Sequence, residues 1–215
     1  METRQRTGHA GSIAGVVLAA GSSTRMGSNK LLFDLGGETV VHRAVRAASA
    51  AGLDPVIVVL GHEADKVRAA LADLPCRFVL NAEFVAGMNG SVRVGIGAVP
   101  ASSPAAVVML ADMPFVDVAM IATLVERYRG GNALLLASEY GTGTDAVKAP
   151  PTLFDRALFA ELMGEEGHGC AKRMARRHPD RTAVLTWPAR ALVDLDAPAD
   201  YERVKAQLQT AQQGG

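Results

Sequence analysis

Residues 13–19 read Ile13-Ala14-Gly15-Val16-Val17-Leu18-Ala19, and the chain continues at once as Ala20-Gly21-Ser22-Ser23-Thr24-Arg25-Met26-Gly27-Ser28-Asn29-Lys30. The first stretch has no polar side chain. A short, unbroken apolar run is what a strand buried on both faces requires, as in a parallel sheet covered by helices. The second stretch is small, polar and cationic, which makes it a loop. A buried strand that opens into such a loop is the start of an α/β unit.

Working outward, the same alternation repeats. Val40, Val41, Ala44, Val45 and Ala48 fall at helical spacing within 39–51. Asp54-Pro55 marks a turn, and 56–60 (VIVVL) is a second buried strand. A helix is expected over 63–74, with Val67, Ala70, Leu71 and Leu74 on one face. A short strand follows at 77–80, a helix at 87–99, and a fourth buried strand at 106–110 (AVVML). Helices are expected at 116–128, 157–163 and 170–177, and strands at 133–137, 152–154, 183–187 and 192–195. A helix over 198–208 closes the chain, with Pro198 in its first turn, where the absent N–H costs nothing. The pattern predicts a Rossmann-like, mostly parallel (mixed) sheet sandwiched by helices. Residues 139–151 are the most irregular region, either a substrate-covering loop or a long connection.

The chain of 215 residues is long enough for one substantial core, expected over 13–208 between a frayed arm (1–12) and a polar tail (209–215). Its 22 basic and 22 acidic residues cancel, and no basic stripe stands out. Nucleic acid is therefore not an expected partner, because a phosphate backbone needs clustered Lys and Arg. No stretch looks like a signal peptide or a membrane span, so a cytoplasmic protein is expected. Cys76 and Cys170 are far apart and form no metal-binding or redox spacing.

In an open α/β sheet, ligands bind outside the carboxyl ends of the strands. The loop after the first strand has the chemistry a triphosphate needs. Gly21 and Gly27 let backbone N–H groups approach an anion, Ser22, Ser23 and Thr24 add hydroxyls, and Arg25 and Lys30 add charge. A solvated Gly/Ser turn with two surface cations has the same composition. The second loop is Ala111-Asp112-Met113-Pro114, directly after AVVML. A carboxylate fixed at a strand end suits Mg2+, which takes one or two carboxylates plus phosphate oxygens. Asp112 reads equally as a turn residue or as the cap of the helix near Val116. Asp194 and Asp196 lie two apart, on one face of the expected strand 192–195. Either could complete a metal site, and Asp196 could instead cap the final helix.

Other patterns carry less. Met26 occupies the second Gly position of a Walker loop. Gly141-Thr142-Gly143-Thr144-Asp145-Ala146 spells a dinucleotide fingerprint, but Pro150-Pro151 follows too soon for it to open a helix. His42 and His178 read as surface or capping residues. Lys172, Arg173, Arg176 and Arg177 form either a solvated helix face or a clamp for an acceptor phosphate.

The loop Leu18-Ala19-Ala20-Gly21-Ser22-Ser23-Thr24-Arg25-Met26-Gly27, with Lys30-Leu31-Leu32 after it, resembles the signature of the molybdenum-cofactor nucleotidyltransferases, most closely their cytidylyltransferase branch. Asn81, Phe84, Gly87, Met88, Ser91 and Val92 are similar to that family's second nucleotide segment, and Ala111-Asp112-Met113-Pro114 to its metal motif. Asp194-Leu195-Asp196-Ala197-Pro198, with Asp200 and Tyr201, is similar to its closing motif. The resemblance implies a nucleotidyltransferase-type fold and transfer of CMP from CTP to the phosphate of molybdenum-loaded molybdopterin, with Mg2+ as cofactor. It implies that backbone around Leu18, Ala19, Ala20 and Gly21, with Ser22 and Ser23, holds the nucleotide, and that Arg25 and Lys30 steady the triphosphate. Gly87 and Ser91 would contact base or ribose, and Asp112, with Asp194 or Asp196, would hold the metal. Ala20, where the guanylyl branch has Gly, argues for CTP. A transient contact with an apo-molybdoenzyme would follow catalysis. Where the family carries Gly-x-Pro near the acceptor pocket, this chain has Ala149-Pro150-Pro151, which removes backbone freedom.

Two rivals share these motifs. One is a nucleotidyltransferase for a sugar phosphate or methylerythritol phosphate, which acceptor screening separates. The other is a non-catalytic protein that binds and delivers the finished molybdenum cofactor. Lys30 and Asp112 together speak against it, because a pure binder need not keep a metal carboxylate.

Overall fold

The computed structural model describes residues 11–22, 27–164, 169–193, 195 and 198–213. Strand β1 (Ala14–Ala19) is fully buried, and its side chains alternate between two cores. Val17 and Ala19 point to one face of the sheet, and Ala14, Val16 and Leu18 to the other. Because both faces are covered, the sequence shows an unbroken apolar run rather than a polar alternation. Strands β2 (Val56–Leu60) and β4 (Ala105–Leu110) flank β1 in parallel, and β3 (Arg77–Leu80) pairs with β2.

The sheet changes direction beyond β4. Strand β7 (Thr152–Asp155) runs antiparallel between β4 and β5 (Leu135–Tyr140). The short β6 (Val147–Lys148) continues β7 along the same edge of β5, with the register shifted by two residues across Ala149-Pro150-Pro151. This is a bulge, the usual site for a proline within a sheet. Strand β8 (Thr182–Trp187) closes the other edge of β5 in parallel. The mixed, mostly parallel sheet agrees with the sequence reading.

Helices α1 (Val40–Ala50), α2 (Ala64–Ala69) and α4 (Val118–Arg129) cover one face, with α7 (Pro198–Gln213) adding Val204 and Leu208 to that core. Helices α3 (Met88–Gly97), α5 (Phe159–Met163) and α6 (Cys170–Arg177) cover the other. The expected strand at 192–195 is not found among the described residues of that segment. After β8 the chain makes a 3-10 turn at Ala189–Ala191, and Leu192, Val193 and Leu195 belong to no strand. Leu195 is fully buried in the first core, so the apolar residues that mimic a strand there serve as an anchor instead. Helix α7 runs on to Gln213, past the expected end at Leu208.

Helix α3 lies unusually close to the sheet at Gly95. A Cβ there would meet Val16 Cγ1 at 2.3 Å and Val59 Cγ2 at 2.9 Å. Both neighbours are β-branched strand residues with little freedom to turn aside. Gly95→Ala is therefore expected to destabilise the protein by about 1–3 kcal/mol through overpacking, despite the better helix propensity of Ala. A denaturant titration checks this: an unchanged or raised midpoint would contradict so tight a contact.

Candidate active site at the carboxyl ends of β1, β2 and β4

β1, β2, β3 and β4 all end at one edge of the sheet, and the loops that leave them meet there. The N–H of Ala111 donates to Leu18 O (3.1 Å), so the ends of β4 and β1 are tied together. The side chains of Leu18 and Ala19 are buried, which leaves only their backbone for a ligand. Gly21 and Ser22 are exposed beyond them. Ser23 and Arg25 lie outside the described residues, as do Asp194 and Asp196.

Lys30 re-enters the site on a 3-10 turn, Lys30–Leu32. Asn29 caps that turn, its Oδ1 accepting from the Leu31 N–H (3.2 Å), and Leu31 plugs into the core. The chain is thus pinned on both sides of Lys30, and its ammonium reaches Asp112 Oδ2 at 2.6 Å. The side chains of this pair are only 13% and 21% exposed. Asp112 is held as firmly. Met113 and Val116 are buried on either side of Pro114, and the Val116 N–H donates to Met113 O (3.1 Å). Asp112 is not the helix cap. That place belongs to Asp117, whose Oδ1 accepts from the Met120 N–H (2.9 Å). Position excludes the cap alternative, since Asp117 directly precedes α4.

The second segment closes the site from the β3 side. Asn81 is buried, accepts from the Glu83 N–H (3.1 Å) and donates through Nδ2 to Ser91 Oγ (3.0 Å). Gly87 has φ of 111°, a conformation that favours glycine, and α3 starts directly after it. Ser91 is buried on the first turns of that helix. Between the two segments lies Gly61, which the sequence reading passed over. A Cβ on Gly61 would sit 2.7 Å from Ala20 O and 2.8 Å from Phe84 Cβ. Its lack of a side chain lets the loops after β1, β2 and β3 touch, and the His62 N–H donates to Ala20 O (3.3 Å). The only signal for this was a Gly directly after a buried strand. Glu63, next along, has φ of 49° and pairs with Lys66.

The bulge at Ala149-Pro150-Pro151 lies on the same edge, since Thr152 pairs with Val108 near the end of β4. Ser138 Oγ donates to Pro151 O (2.6 Å) and Tyr140 OH to Pro150 O (2.7 Å). Burial pushes the Tyr140 phenol well above its ordinary range, so it remains a donor. The Pro150-Pro151 end of the irregular 139–151 stretch is therefore braced against β5. His42 and His178, both partly buried, bond to Asp73 (3.1 Å) and Glu161 (2.7 Å) respectively.

Among the described residues, no group of three or more His, Cys, Asp or Glu is arranged to hold a metal ion. The arrangement provides one fixed carboxylate beside a cation. That suits an ion which takes most of its oxygens from a phosphorylated ligand. Among the described residues, no helix is long and apolar enough to cross a membrane.

The MobA-like NTP transferase domain matches residues 15–182. The bifunctional protein GlmU of Kineococcus radiotolerans is 37% identical over 148 residues, which cover 66% of this chain and 29% of that longer protein. The crystal structure of Rv0371c from Mycobacterium tuberculosis superposes with a TM-score of 0.78 at 31% identity, covering 92% of this chain and 99% of the other. A complex of Rv0371c with manganese gives a TM-score of 0.74 at 29% identity over 91% of this chain and 98% of that one.

Proposed function

Since the chain belongs to the MobA-like NTP transferase family, we propose that it moves CMP from CTP to the phosphate of molybdenum-loaded molybdopterin and releases pyrophosphate. The observation that carries this reading is the Lys30–Asp112 pair, 2.6 Å apart at the carboxyl edge, with each partner anchored by its own loop. A cation and a carboxylate held together there are the two charges that a metal-bound triphosphate needs.

Lys30, with Arg25, steadies the β- and γ-phosphates and the pyrophosphate that they become. The backbone of Leu18, Ala19, Ala20 and Gly21, with Ser22 and Ser23, holds the nucleotide. Ser91 and Gly87 meet the base or ribose. Asp112 is the fixed ligand for Mg2+, with Asp194 or Asp196 as a second carboxylate. The manganese complex of Rv0371c supports a divalent cation in this fold. Such a cation, when bound, neutralises phosphate charge and polarises the phosphoryl oxygens. An oxygen of the acceptor phosphate attacks the α-phosphorus of CTP in line. The bond to the bridging oxygen of the β-phosphate breaks, and pyrophosphate leaves with the electron pair. The attacking oxygen is already anionic, so no general base is needed. The protein contributes orientation and charge.

A sugar phosphate as acceptor is the second reading. It is kept because the curated relatives are named GlmU. Pyrophosphate release from each of the four NTPs with Mg2+ separates the readings. Release that needs both CTP and loaded molybdopterin is the expected result. Release with a sugar phosphate but not with molybdopterin moves the protein to the second reading. Binding of CTP with no release for any acceptor would end the transferase proposal in favour of a carrier.

A further inference from the structure

We propose that Arg43, held by Glu38, is a positioning residue that fixes the Asp112 loop relative to Lys30. This rests on the reading of Lys30 and Asp112 as the working charges. Arg43 projects from the first turns of α1, and its Nε donates to Pro114 O (2.9 Å). Its Nη1 donates to Glu38 Oε1 (2.8 Å). Pro114 is two residues beyond Asp112. Glu38 lies in the turn that follows Lys30–Leu32, where the Leu35 N–H donates to its carbonyl (2.8 Å) and Asp34 bridges to Thr39. One guanidinium therefore ties the segment that carries Lys30 to the loop that carries Asp112.

Glu38 is built to hold this fork. Arg46 adds two bonds to the same carboxylate, Nε to Oε2 and Nη2 to Oε1, both at 2.9 Å. His42 Nδ1 stands 3.5 Å from Oε2. Burial raises the Glu38 carboxyl, but Arg46 and Arg43 outweigh that and hold it below its ordinary value, so it stays ionised. Side-chain exposure is 25% for Arg43 and 17% for Glu38, which shields the link from solvent competition.

The link matters when a ligand arrives. The Lys30–Asp112 ion pair also ties the two sides directly. A triphosphate with its cation draws Lys30 and Asp112 each to a new partner and loosens that tie. The Arg43–Pro114 bond uses a backbone carbonyl and does not compete with the ligand. It keeps the loop in place while the side chains change partners. Lysine could not replace it, because one ammonium lacks the planar fork that serves a carbonyl and a carboxylate at once.

The test compares Arg43→Met and Arg43→Lys with wild type. Amide hydrogen exchange of 111–116 is followed in the protein without nucleotide or metal. Pyrophosphate release and the KM for CTP are measured alongside, with a melting curve for each variant. The expected result is faster exchange confined to 111–116 in both variants. The kcat is expected to fall on the order of 10-fold, because small misplacement of a catalytic group is costly, while KM stays within about two-fold. Wild-type exchange in 111–116 would overturn the proposal whatever the kinetics. Faster exchange with wild-type kcat would reduce the link to a structural brace and overturn it as a positioning device. If wild type released no pyrophosphate, the transferase reading would fail, and exchange would still decide whether Arg43 fixes the loop.

Discussion

An Asp112→Asn protein is expected to release pyrophosphate on the order of 10²–10³ times more slowly than wild type, with an almost unchanged melting temperature. The two halves of this expectation have separate causes. Asparagine keeps the shape of the side chain and one oxygen that can accept from Lys30. It removes the negative charge that a hard divalent cation prefers. Stability is spared for two reasons. The asparagine oxygen still accepts from the Lys30 ammonium, so neither side chain is left without a polar partner at this contact. The cap of α4 comes from Asp117, so the helix beyond the loop keeps its N-terminal bond. The measurement is kcat at saturating CTP and acceptor, with Mg2+ titrated in each protein. A rate within a few-fold of wild type at ordinary Mg2+ would remove Asp112 from the metal site. A large fall in melting temperature would mean that the residue acts by holding its loop.

The sequence was most informative where local chemistry and burial agree. β1, β2 and β4 were legible because strands covered on both faces must be apolar throughout. Helix α6 was legible to its end residues because Cys170 and Met174 bury one side and arginines crowd the other. The reading weakened where apolar residues serve another purpose. Leu192, Val193 and Leu195 imitate a strand, but β5 already has a partner on each edge and the segment turns away to bury Leu195. The bulge at Ala149-Pro150-Pro151 looked like a loop because prolines normally leave a sheet. In the candidate site, Lys30 and Asp112 could be singled out in the sequence, but the contacts around them could not. Nothing local in Gly61 foretells its closeness to Ala20 and Phe84. The Arg43–Pro114 bond spans 71 residues, and no pattern within α1 announces it.

Lys30→Met is expected to lower kcat by a similar factor, on the order of 10²–10³, and to reveal that the two residues work as a unit. Methionine preserves much of the apolar stem, which matters because the side chain is 13% exposed and packed along the edge of the site. What disappears is the charge that, on the proposed reading, meets the triphosphate as pyrophosphate departs, when negative charge builds on the leaving group. In the ligand-free protein the loss also leaves Asp112 without its ammonium partner. On the same reading the carboxylate would face phosphate oxygens with less positive charge beside it, so the fault at one position would weaken the other. The Lys30→Met, Asp112→Asn double variant should therefore be little slower than the worse of the single variants, as with other groups that act together. Release rates of the four proteins, taken at the same CTP, acceptor and Mg2+, give the comparison. Strictly multiplicative losses would mean that Lys30 and Asp112 act on separate parts of the reaction and that their 2.6 Å pairing is incidental to it.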